Sequence, residues 1–166
     1  IILDTFPVSF QLGMFSLIFA VIAGVALGAI AAIRRGKAAD TIAMTLSVIG
    51  VSIPSFIVAA LLQYFIALKL NQLLGTQIFA ITGWGNLNQI ILPALALSFS
   101  SLATVSRLMR TSMLDVLSSD YIKTAKAKGL SERQILWKHA LRNAIMPVIT
   151  VLGPIAAAVL TGGFVV

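Results

Sequence analysis

Four long stretches of this chain carry no charged residue, and they alternate with short segments that hold nearly all of the charge. The stretches cover residues 8–33, 41–68, 89–106 and 143–166. A helix of about 20 mainly apolar residues crosses the hydrocarbon core of a bilayer, and a somewhat shorter one spans when its ends reach the headgroups. A soluble domain of this size cannot hide so much apolar surface, because roughly a third of the surface that its unfolded chain exposes stays wet. We therefore predict an all-α, polytopic transmembrane helical bundle with four spans in a single domain, residues 1–166.

The composition favours a membrane protein over a soluble one. Hydrophobic residues make up 59% of the chain and charged residues 10%, whereas a soluble domain carries about 25% charged residues. The absence of cysteine excludes a disulfide framework and a thiolate metal site. The chain starts at Ile1 rather than at methionine and ends on apolar residues, so we expect it to be an internal piece of a longer protein.

The distribution of basic residues predicts the orientation of the spans. The segments 34–40 and 107–142 hold all of the 12 Lys and Arg residues except Lys69. The positive-inside rule places such segments in the cytoplasm. Four spans then leave both chain ends external, together with the polar connection 71–88, where Trp84 suits the membrane interface. We therefore interpret the net charge of +7 as a consequence of membrane topology. The basic residues are concentrated in alternate connections between the apolar stretches, and nucleic-acid binding would not require that distribution.

Two of the stretches contain features that bear on packing and on transport. Ala20, Gly24 and Gly28 recur every four residues, which in lipid lets two helix backbones approach closely. Pro54 interrupts the second stretch and removes a backbone hydrogen bond. Within a membrane such a break persists only where neighbouring groups or water satisfy the freed carbonyls.

The proline break is a candidate for a cavity-lining or hinge segment on a translocation path, with a plain packing kink as the alternative. The residues assigned to the path are Ser52, Pro54, Ser55 and Gln63, and Ser98, Ser100 and Ser101 are further polar residues that suit it. Each of these polar side chains has an alternative role as an interhelical hydrogen-bonding residue.

The segment 107–142 is too long for a bare turn, since connections beyond about 12–15 residues usually carry function or structure of their own. Asp120 suits the start of a helix, and Gly129 suits its left-handed end. Ser131, with a glutamine three residues later, forms a capping-box pattern that begins a second helix. We call this predicted helix–glycine–helix unit the elbow (residues 119–142). It suits docking onto another protein, and an amphipathic loop on anionic lipid is the alternative.

Two runs in this segment resemble a known family motif. Residues 120–133 read DYIKTAKAKGLSER, and residues 137–147 read WKHALRNAIMP. They look like the EAA loop of bacterial ATP-binding-cassette import permeases, in the branch that serves oligopeptides, dipeptides and nickel, and they resemble its B-type subunit. The runs FPVSFQLG at 6–13 and SIPSF at 52–56 are supporting matches. Of the family's Glu-Ala-Ala and glycine pattern, only Ala125 and the glycine of the elbow are kept, a departure that is usual in this branch.

The resemblance implies a MetI-like permease core whose coupling helix lies in a groove of a cytoplasmic ATPase. It also implies a bacterial inner-membrane location, with one span before Ile1 and another after Val166. The partners that it implies are a C-type permease subunit, two ATP-binding-cassette ATPases that bind ATP and Mg²⁺, an extracytoplasmic substrate-binding protein and membrane lipid, with no cofactor in this chain. The residues assigned to ATPase coupling are Asp120, Tyr121, Lys123, Thr124, Ala125, Lys126, Lys128, Gly129, Leu130, Ser131, Glu132 and Arg133.

Other functions have less support from the sequence. A Walker A motif is absent, because Gly36 and Lys37 are followed by Ala38 where a Ser or Thr would hold magnesium. His139 is the only histidine, so no catalytic or metal site is expected. Import of an oligopeptide or dipeptide is the first interpretation, and nickel or glutathione import is the alternative within the family. A secondary transporter or channel, an intramembrane enzyme and a DNA-binding helix-turn-helix are alternatives outside it. The last is disfavoured because the elbow has no room to leave the membrane surface, and no nucleic-acid partner is expected.

Overall fold

The computed structural model describes residues 2–76, 78–79, 83 and 86–161. These residues form helices and no strand. The interfacial position predicted for Trp84 and the end of the fourth apolar stretch lie outside the described residues.

Two of the described helices contain a π-helical segment. The helices are α1 (Ile2–Ile33), α2 (Ala38–Ser52), α3 (Ser55–Leu74), α4 (Leu87–Ser118), α5 (Asp120–Ala127), α6 (Glu132–Ala144) and α7 (Met146–Thr161). The π-helical segments are Gln63–Leu70 in α3 and Ile135–Ala140 in α6.

Of the described helices, α1, α3 and α4 are long and apolar enough to cross a membrane. The pair α6 and α7 bends by 42° and supplies a fourth crossing when it is counted as one span. The predicted all-α, polytopic fold is therefore confirmed, and its four spans agree with this number. With only 15 residues, α2 is too short to cross by itself.

Two helix boundaries differ from those that the charge pattern suggests. The stretch 41–68 is divided into α2 and α3, because Pro54 has no N–H to continue the hydrogen-bond ladder. The helix of the third stretch does not end with the last uncharged residue but continues past Arg110 to Ser118. A helix can continue through charged residues when its buried positions keep the helical spacing. The segment 107–142 therefore begins inside α4.

The long helices α1 and α4 lie side by side and run in the same direction. Leu12 packs near Ile90 at one end of the pair, and Gly28 lies against Ser106 further along. The residue numbers therefore rise together along both helices. Because α1 and α4 are parallel neighbours, the chain between them, which includes α2 and α3, must return along the bundle.

Small residues allow α1 and α4 to approach closely, as the repeat in the sequence predicts. Ala20 is fully buried. A Cβ added to Gly24 would lie 2.8 Å from Cγ1 of Val105. A Cβ added to Gly28 would overlap the carbonyl oxygen of Ser106. The backbones are in contact at both positions, so glycine is required there for packing.

One apolar cluster, called here the spanning core, contains residues from α1, α4, α6 and α7. Its buried members are Ala32, Val105, Met109, Met113, Ala140, Ala144 and Val148. Because α6 belongs to the predicted elbow, the same cluster holds the elbow against the spans.

Candidate functional site

The elbow has the helix–glycine–helix structure that the sequence predicts. After α5, Gly129 adopts a left-handed conformation with φ of +79°. The N–H of Gly129 donates to the carbonyl of Lys126, and the N–H of Leu130 donates to the carbonyl of Ala125. This pair of bonds is the Schellman motif, which satisfies carbonyls that a helix end otherwise leaves free. The corner is therefore held by its own hydrogen bonds.

A capping box begins the second helix of the elbow, again as predicted. The hydroxyl of Ser131 accepts from the N–H of Gln134, and Oε1 of Gln134 accepts from the N–H of Ser131 at 3.1 Å. Both orphan donors at the start of α6 are satisfied in this way. The direction in which the chain leaves the glycine corner is thus fixed locally.

The inside of the elbow is a small apolar cluster of its own. Ile122, Ala125 and Ile135 are buried, and Leu130 and Val116 pack against them. Ala125 is one of the residues assigned to coupling, but its side chain faces the interior of the elbow. Its small size instead lets α5 lie close to α6.

The remaining residues assigned to coupling form an exposed outer face on the elbow. Its exposed members are Asp120, Tyr121, Lys123, Thr124, Lys126, Lys128, Gly129, Ser131, Glu132 and Arg133. Nζ of Lys123 lies 2.8 Å from Oδ1 of Asp120, and an ion pair so exposed contributes little to stability. The outer face is therefore polar, mainly basic and available for contact.

One contact that the sequence did not predict ties the two helices of the elbow together. Nδ2 of Asn143 donates to the hydroxyl of Tyr121 at 3.0 Å. Tyr121 is at the start of α5 and Asn143 near the end of α6, so this bond closes the open side of the elbow. No local pattern points to such a pair, since the two residues are far apart in sequence.

An ion pair joins the two basic segments at one end of the bundle. Nε of Arg110 lies 2.6 Å from Oδ1 of Asp40, and its second nitrogen, Nη2, donates to Oδ2 at 2.8 Å. The N–H of Gly36 also donates to Oδ2 of Asp40, at 2.9 Å. Asp40 lies in segment 34–40, outside the predicted spans, and the Arg110 guanidinium, with the Gly36 N–H, lowers the pKa of its carboxyl to about 2. Segments 34–40 and 107–142 are therefore on the same side of the bundle.

A second place of interest is a cavity of about 400 Å³ at the break between α2 and α3, called here the break cavity. Its lining includes Ser52, Pro54 and Ser55 from the break, together with Ser100 and Ser101 of α4. These residues, which were among those predicted for the path, thus lie around one cavity. Two of the polar residues considered for the path lie elsewhere: Ser98 is buried and donates to the carbonyl of Leu95, and Gln63 begins the π-helical segment of α3.

Comparison with known proteins supplies the family. Residues 24–166 match the family model described as the inner membrane component of binding-protein-dependent transport systems. The chain belongs to this family. It is therefore part of an inner-membrane component of a transport system, and the apolar helices independently indicate a multi-pass membrane protein.

Relatives of this transport component are permeases for peptides. The dipeptide transport system permease protein DppB of Bacillus subtilis (strain 168) is 52% identical over 163 residues, which are 97% of this chain and 50% of that protein. DppB of Lactococcus lactis subsp. cremoris (strain MG1363) is 44% identical over 160 residues, 96% of this chain and 51% of that protein. The oligopeptide transport system permease protein OppB of Haemophilus influenzae is 43% identical over 168 residues, 100% of this chain and 53% of that protein. The chain spans about half the length of the curated relatives it matches.

The candidate functional features of the described part of the chain are contact surfaces and a cavity. Within it, no group of three His, Cys, Asp or Glu side chains is placed to hold a metal ion. His139 is half-buried on α6. The candidate features are the outer face of the elbow, the ion pair behind it and the break cavity.

Proposed function

We propose that this chain is part of the B-type membrane subunit of an ATP-binding-cassette importer that translocates oligopeptides or dipeptides. The observation that carries the proposal is the elbow, a self-supporting unit with a basic outer face. The names of the relatives in Bacillus, Lactococcus and Haemophilus support peptides as substrates over nickel or glutathione. The proposed partners are a C-type permease subunit, two cytoplasmic ATPases that bind ATP and Mg²⁺, and an extracytoplasmic substrate-binding protein.

The elbow is proposed to lie in a groove of the ATPase and to be held there by its outer face. Lys123, Lys126, Lys128, Glu132 and Arg133 are exposed, and complementary charges on the partner would fix the docking orientation. ATP hydrolysis takes place in the partner subunit in this proposal. The residues of this chain contribute position and rigidity.

Movement of the docked elbow is proposed to reach the spans through packed side chains. Val116 packs against both the cluster inside the elbow and the spanning core. Ala140 of α6 is buried in the same core as Ala32 of α1 and Met113 of α4. Since close-packed contacts transmit displacement rather than absorb it, a shift of the elbow tilts these helices together. The path is then opened alternately to the two faces of the membrane.

Uptake of peptide by the reconstituted full complex tests this function, and Gly129→Val tests the role of the elbow. We expect the wild-type complex to accumulate peptide only when ATP is hydrolysed. A side chain at φ of +79° is strained by about 1–2 kcal/mol, and a β-branched one is especially unfavourable there. Gly129→Val should therefore lower ATP-driven uptake several-fold, measured at equal amounts of inserted protein.

Gly75→Val is the matched control for the elbow variant. Gly75 also has a left-handed φ, of +64°, and open space around its Cα, but it lies at the end of α3, away from the elbow. Near-normal uptake is expected for this control. Equal uptake by the two variants and the wild type would contradict a coupling role for the elbow, and ATP-independent uptake would favour a secondary transporter or channel.

Single-cysteine labelling tests the proposed sidedness, in which segments 34–40 and 107–142 are cytoplasmic and both chain ends external. The chain contains no cysteine, so each introduced thiol is the only one in it. A membrane-impermeant thiol reagent should label Lys126→Cys in inside-out vesicles and not in intact cells. Thr76→Cys, exposed beyond the end of α3, should show the opposite pattern. Labelling of Lys126→Cys from outside intact cells would overturn the topology.

A further inference from the structure

The break between α2 and α3 is exposed on the surface of the described bundle. Ser52 and Pro54 are exposed, and Ile53 and Ser55 are half-buried. Starting from the segment 34–40, α2 has 15 residues, and about 20 are needed to cross. A crossing that begins at segment 34–40 would therefore place the break inside the hydrocarbon core.

Lipid cannot satisfy the backbone groups that the break leaves free. The last four carbonyls of a helix have no partner within it, and only Ile49 among the last residues of α2 has its carbonyl bonded across the break, by the N–H of Ile53. Pro54 has no N–H to donate. Irregular backbone at membrane depth is tolerated where it is buried in protein or lines a cavity that holds water. The exposed break therefore indicates water or a polar substrate next to it.

Side chains from a second helix add to the polarity of this place. Ser100 of α4 is exposed and Ser101 is half-buried, and both line the break cavity together with Ser52 and Ser55. Hydroxyls both donate and accept hydrogen bonds. Among the described residues, the lining of the break cavity carries no charged side chain. The cavity volume of about 400 Å³ is within the range of small-molecule sites.

We propose that the break cavity is an uncharged, partly polar subsite on the translocation path, where the peptide main chain forms transient hydrogen bonds with Ser100, Ser101 and the free backbone of the break. This inference rests on the proposed peptide import and adds the place and mode of contact. A main chain repeats the same N–H and C=O groups whatever its side chains, so neutral hydroxyls and carbonyls suit peptides of varied sequence. Neutral hydrogen bonds are also weak in net terms, about 0.5–1.5 kcal/mol each, which allows release.

Thiol accessibility of Ser100→Cys in the reconstituted full complex tests the subsite. A charged, water-soluble methanethiosulfonate should modify this cysteine, and saturating peptide should slow the modification several-fold. Ser98→Cys, on the same helix but 1% exposed, and Ile22→Cys, 67% exposed on an apolar surface of α1, should stay unmodified. The Ile22→Cys control distinguishes a side chain that is exposed on the bundle surface but covered by lipid from one that water reaches.

Two results would overturn the subsite: a Ser100→Cys thiol as unreactive as Ile22→Cys, or modification that peptide does not slow. Either result leaves the proposed function standing if the same preparation without the introduced cysteine shows ATP-driven uptake. Failure of the proposed function would appear instead as the absence of that uptake.

As a second measurement, the Ser100→Ala/Ser101→Ala variant should raise the peptide concentration for half-maximal uptake roughly tenfold, because two weak hydrogen bonds are lost. An unchanged value would contradict direct contact.

Discussion

Replacing Gly28 with alanine is expected to cause a large loss of stability, although the same change stabilises an ordinary helix by about 1 kcal/mol. The new Cβ would overlap the carbonyl oxygen of Ser106 and lie 2.7 Å from Cβ of Met109 and 3.1 Å from the backbone N of Arg110. Backbone atoms cannot rotate away, so α1 and α4 must separate. Overpacking of this kind costs typically about 1–3 kcal/mol, and more when backbone moves. We expect a loss of about 3 kcal/mol, which lowers the unfolding midpoint by several degrees.

Gly13→Ala on the same helix is the control for this prediction. There the added Cβ would lie 2.8 Å from Cδ2 of Leu160, the end of a flexible side chain, which can rotate to make room. The midpoint, measured as the temperature at which half of the detergent-solubilised protein stays soluble, should change little for Gly13→Ala. If Gly28→Ala matched this control, the close approach of α1 and α4 at Ser106 would be contradicted.

Features encoded within a few neighbouring residues were predictable from the sequence. Length and absence of charge were enough for the helical, membrane-spanning fold. The left-handed Gly129 and the capping box at Ser131 were also predictable, because each depends on backbone chemistry within one turn of helix. The repeat of Ala20, Gly24 and Gly28 predicted close packing without naming the partner helix.

Features that depend on the register between distant helices were not predictable. Nothing local shows that Asp40 meets Arg110, because that contact follows from how α1 and α4 align and from where the first loop turns. The inward position of Ala125 likewise depends on how α6 folds back over α5. The sequence singled out Ser52, Pro54, Ser55, Ser100 and Ser101 as residues that suit a path, but only the structure shows that these five line one cavity.

Removal of one partner of the Asp40–Arg110 pair is the second change for which we expect a large effect. The side chains of Arg110 and Asp40 are 25% and 7% exposed. Removing one member of a fully buried pair costs about 3–5 kcal/mol, because the other charge is left uncompensated. Partial exposure of Arg110 reduces this loss, so we expect Asp40→Ala to destabilise the protein by roughly 2 kcal/mol. The same heating assay measures it, with the exposed Asp115→Ala on α4 as a control that should stay near the wild type.

A double-mutant cycle separates the effect of the stranded charge from other effects of the substitutions. Arg110→Met keeps much of the aliphatic stem and removes the charge, so Asp40→Ala/Arg110→Met leaves no unpaired ion. Replacing a whole ion pair is often nearly neutral. The double variant should therefore be no less stable than Asp40→Ala alone, with a coupling energy of about 1–3 kcal/mol. Additive losses would contradict the pair. The contact joins segment 34–40 to α4, the helix that leads into the elbow. If the variants show a coupling energy and also impaired ATP-driven uptake, movement of the docked elbow reaches α2 through these two side chains.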